Sequence, residues 1–130
     1  MLFRSFTALM YAAQDNSPKA LEMVRALVAA YADVDGNFLG GDTALGLASS
    51  TGSVEAVQAL LASKSWVNVN SRQRDGRTPL MKASAKGRAD VVRVLLAAKA
   101  DVNAVDNDDK TALMLALEND HAEVAELLGR

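Results

Sequence analysis

Four segments of the chain share one pattern and follow one another at nearly constant spacing. Each begins with Thr and has Leu two residues later and Ala five residues later; the threonines are Thr7, Thr43, Thr78 and Thr111, separated by 36, 35 and 33 residues. A second apolar block follows each segment, at residues 23–28, 56–61, 91–96 and 124–128. Self-similarity at this period is the signature of an architecture in which each unit buries its apolar face on its neighbours.

Within each unit the pattern predicts two short helices. In the third unit Leu80, Ala83 and Ser84 lie on one helical face, and Thr before Pro79 suits a helix N-terminus because Thr can cap and Pro is tolerated at the first helical position. The first helix of each unit is expected to end at a residue that tolerates the left-handed conformation; these residues are Asn16, Gly52, Gly87 and Asp120. Neither helix is long enough to be stable alone, so the units must stack.

The period and the residues together resemble the ankyrin repeat, most specifically at residues 75–80 (Asp-Gly-Arg-Thr-Pro-Leu) and 100–104 (Ala-Asp-Val-Asn-Ala). The resemblance covers essentially the whole chain. It implies an all-α fold, an ankyrin-repeat solenoid of stacked helix-turn-helix units with β-hairpin-like fingers. We expect a single domain over residues 1–130, with repeats at about 3–35, 36–68, 69–103 and 104–130.

The chain departs from the family pattern at two places. The position that often holds His in the family has Met10, Gly46, Met81 and Met114. We therefore expect the His hydrogen-bond network between repeats to be absent and the coupling between neighbours to be weaker. Trp66 replaces the family Asp of the Ala-Asp-Val-Asn turn, and its indole either packs over an adjacent loop or serves as an exposed anchor for a partner.

Extra residues lie at two points between the repeated blocks. Three precede Met23, around Ser17-Pro18, which predicts that the second helix of repeat one starts about one turn early. Two more, between Asn68 and Asp75, lengthen the next finger, and insertions in a solenoid map to loops on one face. At the C-terminal end, Glu118, Glu123 and Glu126 are candidates for the polar outer face that a terminal repeat needs.

Composition excludes several functional classes. The formal net charge of -2, from 14 basic and 16 acidic residues, does not indicate a nucleic-acid or membrane-surface binder. The chain has no Cys, which fits a cytoplasmic or other reducing intracellular compartment. The apolar run at residues 26–32 is too short to span a bilayer. Residues 5–13 after Arg4 weakly resemble a signal peptide, but they fit the repeat pattern better.

No constellation of residues suggests catalysis or a cofactor. The single histidine, His121, excludes a multi-His metal site, and we expect it to make a loop or capping hydrogen bond. Residues 106–109 superficially resemble a calcium loop, but Thr111 and Leu117 stand where an EF-hand needs Gly and Glu. The sequence therefore predicts no metal site, no cofactor and no enzyme.

The resemblance implies protein binding through the finger tips and the exposed face of the first helices, which together form a concave strip. The first finger, residues 36–42, carries Phe38 and Leu39 at its tip. The second, residues 72–77, is basic and is continued by lysines on the following helix. The third, residues 106–110, is acidic. The residues predicted to contact a partner are Phe38, Leu39, Trp66, Arg74, Arg77, Lys82, Lys86, Asp108 and Lys110.

These residues lead to the prediction of a monomeric, non-catalytic protein–protein interaction module. Under this hypothesis, Arg77→Glu with Lys86→Glu leaves the fold intact and weakens partner binding. Other interpretations remain open at this point. Phe38 and Leu39 fold back onto the stack, or the charges serve solubility and pairing between adjacent fingers. A separate alternative is that the chain is a structural or self-associating fragment of a larger protein, without an independent partner site.

Overall fold

The structure of the protein, a computed structural model, describes residues 17–29, 44–62 and 69–129. Within these ranges the chain forms seven helices and no strand. We number them α1 (Pro18–Ala29), α2 (Ala44–Thr51), α3 (Val54–Leu61), α4 (Pro79–Lys86), α5 (Ala89–Ala97), α6 (Ala112–Glu118) and α7 (Ala122–Leu128).

The helices stack in two layers, in sequence order. One layer contains α2, α4 and α6, and each contacts the next. The other contains α1, α3, α5 and α7, again in consecutive contact, and the pairs α2/α3, α4/α5 and α6/α7 join the layers. This arrangement confirms the predicted all-α stack of helical pairs. Because the first helix predicted for repeat one lies outside the described residues, the number of four repeats stays a prediction, as do the domain and repeat boundaries.

Local signals in the sequence start and stop these helices as predicted. The hydroxyl oxygens of Thr78 and Thr111 accept hydrogen bonds from the amides of Met81 and Met114, both at 3.3 Å, and so cap α4 and α6. Gly52, Gly87 and Asp120 follow α2, α4 and α6 with φ angles of +86°, +73° and +60°, the left-handed conformation that ends a helix. Asn16 lies outside the described residues.

The second helix of repeat one is longer than its counterparts. It has 12 residues, whereas α3, α5 and α7 have 8, 9 and 7. It begins at Pro18, and the amide of Leu21 donates a hydrogen bond of 3.1 Å to the carbonyl of Ser17. The prediction of a start about one turn early is confirmed.

Small residues let the two layers approach closely. Ala48, Ala83 and Ala116 occupy the same place in three successive repeats and are each 0% exposed. The next residue in α2 and α4 is a buried serine, and the hydroxyls of Ser49 and Ser84 donate 2.7 Å hydrogen bonds to the carbonyl four residues earlier. The core therefore accepts these polar groups without leaving them unpaired.

Neighbouring repeats are also linked by side chains that precede the second helices. Arg88 Nε donates to the carbonyl of Ser50 at 3.2 Å, and His121 Nε2 lies 3.1 Å from the carbonyl of Ala85. Ser50 and Ala85 occupy equivalent places, 35 residues apart, as do Arg88 and His121, 33 residues apart, so the same link recurs in the next repeat. The ring of His121 thus bonds the preceding repeat rather than capping α7. Neighbouring repeats are therefore linked by hydrogen bonds. These bonds come from Arg88 and His121, and not from the position in the first helices where Met or Gly replaces the family His.

Candidate functional site

The basic and acidic fingers contain the same turn. In the basic finger the amide of Gln73 donates to the carbonyl of Arg77 and the amide of Gly76 to that of Gln73, both at 3.0 Å. The acidic finger repeats both bonds at the same distance. There the amide of Asp106 donates to the carbonyl of Lys110, and the amide of Asp109 donates to the carbonyl of Asp106. Both fingers are therefore hairpin-like turns, as the resemblance implied.

The two fingers are bonded to each other. The backbone amide of Asn107 donates to the carbonyl of Asp75 at 3.0 Å, and its side-chain amide donates to the carbonyl of Arg74 at 2.7 Å. Gly76 lies directly against this contact, since a Cβ added there would be 2.6 Å from Asn107 Oδ1. Residues 72–77 and 106–110 consequently form one paired edge, which we call the finger pair.

At the centre of the finger pair lies Asp106, whose side chain is only 2% exposed. Its Oδ1 accepts hydrogen bonds from the amides of Asp108 at 2.8 Å and Lys110 at 3.0 Å, and Arg77 Nε lies 3.5 Å from its Oδ2. Burial acts to raise the pKa of Asp106. The backbone hydrogen bonds and the charge of Arg77 outweigh burial and hold this pKa below its ordinary value.

Asp106 is a residue that our sequence reasoning missed. An Asp at the start of a turn, with its side chain bonded to an amide two residues on, is typical of an Asx turn. That local signal was present in the sequence. Its pairing with Arg77, however, could not be predicted locally, because it depends on how consecutive fingers align.

Lys110, predicted to contact a partner, is paired within its own repeat. Its Nζ lies 2.8 Å from Glu118 Oε1 and 3.0 Å from Oε2. The hydrogen bond to Glu118 and the charge of that carboxylate raise the pKa of Lys110. The pair ties the acidic finger to the last residue of α6.

The remaining described residues of the predicted set differ in exposure. Arg74, Lys86 and Asp108 are exposed, and Lys82 is half-buried. At the position of Lys82, repeat two has a half-buried Leu47 and repeat four has Leu115, which is 1% exposed. Among these three repeats, only repeat three places a charge at this position. Phe38, Leu39 and Trp66 lie outside the described residues.

The described residues offer little that suggests other chemistry. They contain no group of three His, Asp or Glu side chains that could hold a metal ion. An open cleft of about 290 Å³ is lined by residues of repeats two to four, among them Gly52, Gly87, Arg88 and Glu123. None of the helices described is both long and apolar enough to cross a membrane.

Comparison with known families agrees with this architecture. The family model for ankyrin repeats, which comprises 3 copies of the repeat, matches residues 3–71 and again residues 65–129. No curated protein matches the chain. Ankyrin repeats generally act as protein–protein interaction modules, and the family is generally non-catalytic. Since the two matches together span nearly all of the sequence, the chain belongs to the ankyrin repeat family.

Proposed function

We propose that the chain is a non-catalytic module that binds a partner protein through the finger pair and the exposed face of its first helices. The observation that carries this proposal is the joining of a basic and an acidic finger into one edge. Three contacts join them: two hydrogen bonds from Asn107 to the backbone of the basic finger and the ion pair of Arg77 with Asp106. A preformed edge costs less conformational entropy on binding than two independent loops.

Opposite charges meet along this edge. Residues 69–103 contain eight basic and three acidic side chains, a formal net charge of +5, and residues 104–130 contain two basic and seven acidic ones, a net charge of -5. This division is hidden in the chain total of -2. A surface with both signs in adjacent repeats orients a partner of complementary charge and raises the association rate.

The pairings divide the proposed site into two roles. Arg77 and Lys110 are engaged with Asp106 and Glu118, so we assign them to holding the fingers. Contact with the partner falls to Arg74, Lys86 and Asp108, which are exposed, with Lys82 beside them on α4. Phe38, Leu39 and Trp66 belong to the proposal on sequence alone.

The proposal further describes a monomer in a reducing intracellular compartment, whose partner is a protein. A nucleic acid or a membrane surface is not proposed as the partner, because the acidic total charge opposes both.

A charge-reversal titration tests the proposal. The partner is first captured by pull-down and identified by mass spectrometry, and its affinity is then measured for the wild type and for Arg74→Glu combined with Lys86→Glu. We expect affinity to fall by about tenfold or more and to depend on salt. Lys19→Glu, a reversal at an exposed position on α1, is the matched control and should bind as the wild type does. Equal affinity of all three proteins would reject the finger pair as the site.

A further inference from the structure

One side of α4 lies outside the core and carries positive charge. The buried residues of α4 are Pro79, Leu80, Met81, Ala83 and Ser84. Lys82 and Ala85 are half-buried, and Lys86 is exposed. Because residues three and four apart share one side of a helix, Lys82, Ala85 and Lys86 form a single strip, which we call the α4 strip.

The neighbouring first helices do not repeat this charge. Helix α4 packs against both α2 and α6. Helix α2 contains no charged residue. At the equivalent positions on α6 only Glu118 is charged, and it is paired with Lys110. The α4 strip is therefore a basic line between an uncharged surface and a carboxylate that already has a partner.

Two exposed cations lie at the ends of this line. Lys86 is the last residue of α4, and Arg74 belongs to the basic finger, which leads into α4 through the capping residue Thr78. Neither cation forms an ion pair with a carboxylate in the part of the chain that the structure describes. Lys82 does interact within the protein, so we assign it long-range attraction only.

Repeat four fixes the backbone that carries both cations. The side-chain amide of Asn107 donates to the carbonyl of Arg74 at 2.7 Å. His121 Nε2 lies 3.1 Å from the carbonyl of Ala85, the residue before Lys86. A ligand that contacts Arg74 and Lys86 therefore orders their side chains but not their backbone, which lowers the entropic cost of binding.

The length of α4 limits which ligands reach both cations. Its 8 residues span about 12 Å, and Arg74 comes before the first of them. An extended chain advances about 3.3 Å per residue, so carboxylates that meet Arg74 and Lys86 stand at least about four residues apart in an extended segment.

A helical ligand fits this surface less well. Packed helices lie about 8–10 Å apart, and a helix with its side chains is about 10–12 Å wide. A helix laid along α4 would therefore also cover α2 and α6, including the paired carboxylate of Glu118. An extended segment is narrower, since neighbouring strands lie only about 4.8 Å apart, and it stays over α4.

The acidic finger opposes a nucleic acid as the ligand. Asp108 follows Asn107, the residue bonded to Arg74, and Asp108 and Asp109 are both exposed. A nucleic acid carries a charge on every phosphate of its backbone and would bring phosphates against these carboxylates. A protein segment can have uncharged residues at that place. The charges around Arg74 therefore favour a short acidic segment of a protein.

We propose that Arg74 and the α4 strip bind an extended acidic segment of the partner protein, with Asp or Glu at two points at least about four residues apart. This inference rests on the proposed function and specifies the chemistry that the partner presents.

Three short synthetic peptides of equal length test the spacing. The first has two Glu pairs separated by four Ser or Thr residues, with a Pro that prevents a helix. The second has the same composition with all the Glu residues together, and the third has Gln in place of Glu. Binding to the full chain is measured by titration calorimetry at low and at physiological salt. We expect the first peptide to bind about fivefold more tightly than the second and about tenfold more tightly than the third, and salt to weaken its binding.

Lys86→Gln and Arg74→Gln each leave one of the two charges. Either change should weaken binding of the first peptide by about fivefold and abolish its advantage over the second. Lys99→Gln removes an exposed charge from the loop after α5 in the same repeat; it is the matched control and should bind as the wild type does. Equal binding of the first and second peptides to the wild type would overturn the inference.

Further comparisons separate this inference from the proposed function. If Arg74→Glu with Lys86→Glu weakens binding of the captured partner but the first and second peptides bind alike, the proposed function stands and this inference is overturned. If the peptides show the expected selectivity and the partner's affinity is unchanged, recognition of acidic segments is supported and only its use by that partner is rejected. A single-stranded oligonucleotide that binds more tightly than the first peptide would overturn the inference in favour of a nucleic acid.

Discussion

Arg77 Nε lies 3.5 Å from Oδ2 of Asp106, a carboxylate that is 2% exposed and belongs to the next finger along the chain. This pair joins a basic finger to an acidic one inside the molecule. Charges that resemble a partner-binding patch in the sequence are therefore partly used to hold the stack together. Arg77 also lies 3.9 Å from Asp75 Oδ2, so it bridges both fingers.

Arg77→Glu is expected to destabilise the protein. The new carboxylate would face the buried carboxylate of Asp106, and the attraction between Arg77 and Asp106 would be lost. We expect a loss of about 2 kcal/mol in the free energy of unfolding, measured by urea denaturation. This revises the hypothesis, made from sequence alone, that Arg77→Glu with Lys86→Glu leaves the fold intact. Lys86→Glu alone is the control, and identical denaturation midpoints for the two variants would contradict the role assigned to Arg77.

Asp106 should make stability depend on pH in the acidic range. Its folded pKa lies below its ordinary value, so the carboxylate stabilises the fold above the unfolded pKa of about 3.9. That stabilisation is lost as the pH falls through the folded pKa. Asp106→Asn should therefore be less stable than the wild type by about 1–3 kcal/mol at neutral pH.

Denaturation at neutral pH and again near pH 3 checks this prediction. The difference between wild type and Asp106→Asn should narrow at the lower pH, because below the unfolded pKa of about 3.9 the unfolded chain takes up a proton that the folded carboxylate resists, and the stabilisation begins to be lost. Asp108→Asn is the matched control in the same finger, at an exposed side chain. A gap that stays constant between the two pH values would show that the charge of Asp106 does not stabilise the fold.

Gly87→Ala should destabilise the junction of repeats three and four. Gly87 has a φ of +73°, and a Cβ there would lie 2.5 Å from His121 Nδ1. We expect the free energy of unfolding to fall by about 1–2 kcal/mol because of the backbone conformation, and to fall further because the ring of His121 is displaced. A double-mutant cycle separates the backbone cost from the clash with the ring, since His121→Ala should relieve only the clash. Additive effects in the cycle would show that the ring does not press on this glycine.

Local features of this fold could be predicted from sequence, whereas contacts between repeats could not. Thr78, Gly87 and Pro18 each signal a helix end through their own backbone or capping preference. The bonds from Arg88 to Ser50 and from His121 to Ala85 join residues 38 and 36 positions apart. Their formation depends on the spacing of stacked helices, which no local preference sets.

The candidate site, too, could be predicted from sequence only in part. Its fingers could be located from the repeat period, and Arg74, Lys86 and Asp108 are exposed as a contact surface requires. The pairing of Arg77 and Lys110 depends on which neighbour each side chain meets.

His121→Ala should loosen the last helical pair more than the rest of the stack. In repeat proteins, stability is approximately a sum of terms within each repeat and terms between neighbours. The bond from His121 to Ala85 belongs to the second kind, and its loss should cost about 0.5–1.5 kcal/mol. Hydrogen exchange should then show α6 and α7 opening at a lower free energy, with α2 and α3 nearly unchanged. Arg88→Ala is the equivalent change one repeat earlier and should weaken the junction between the pairs α2/α3 and α4/α5 instead. Uniform loss of protection from exchange in both variants would contradict a role specific to each junction.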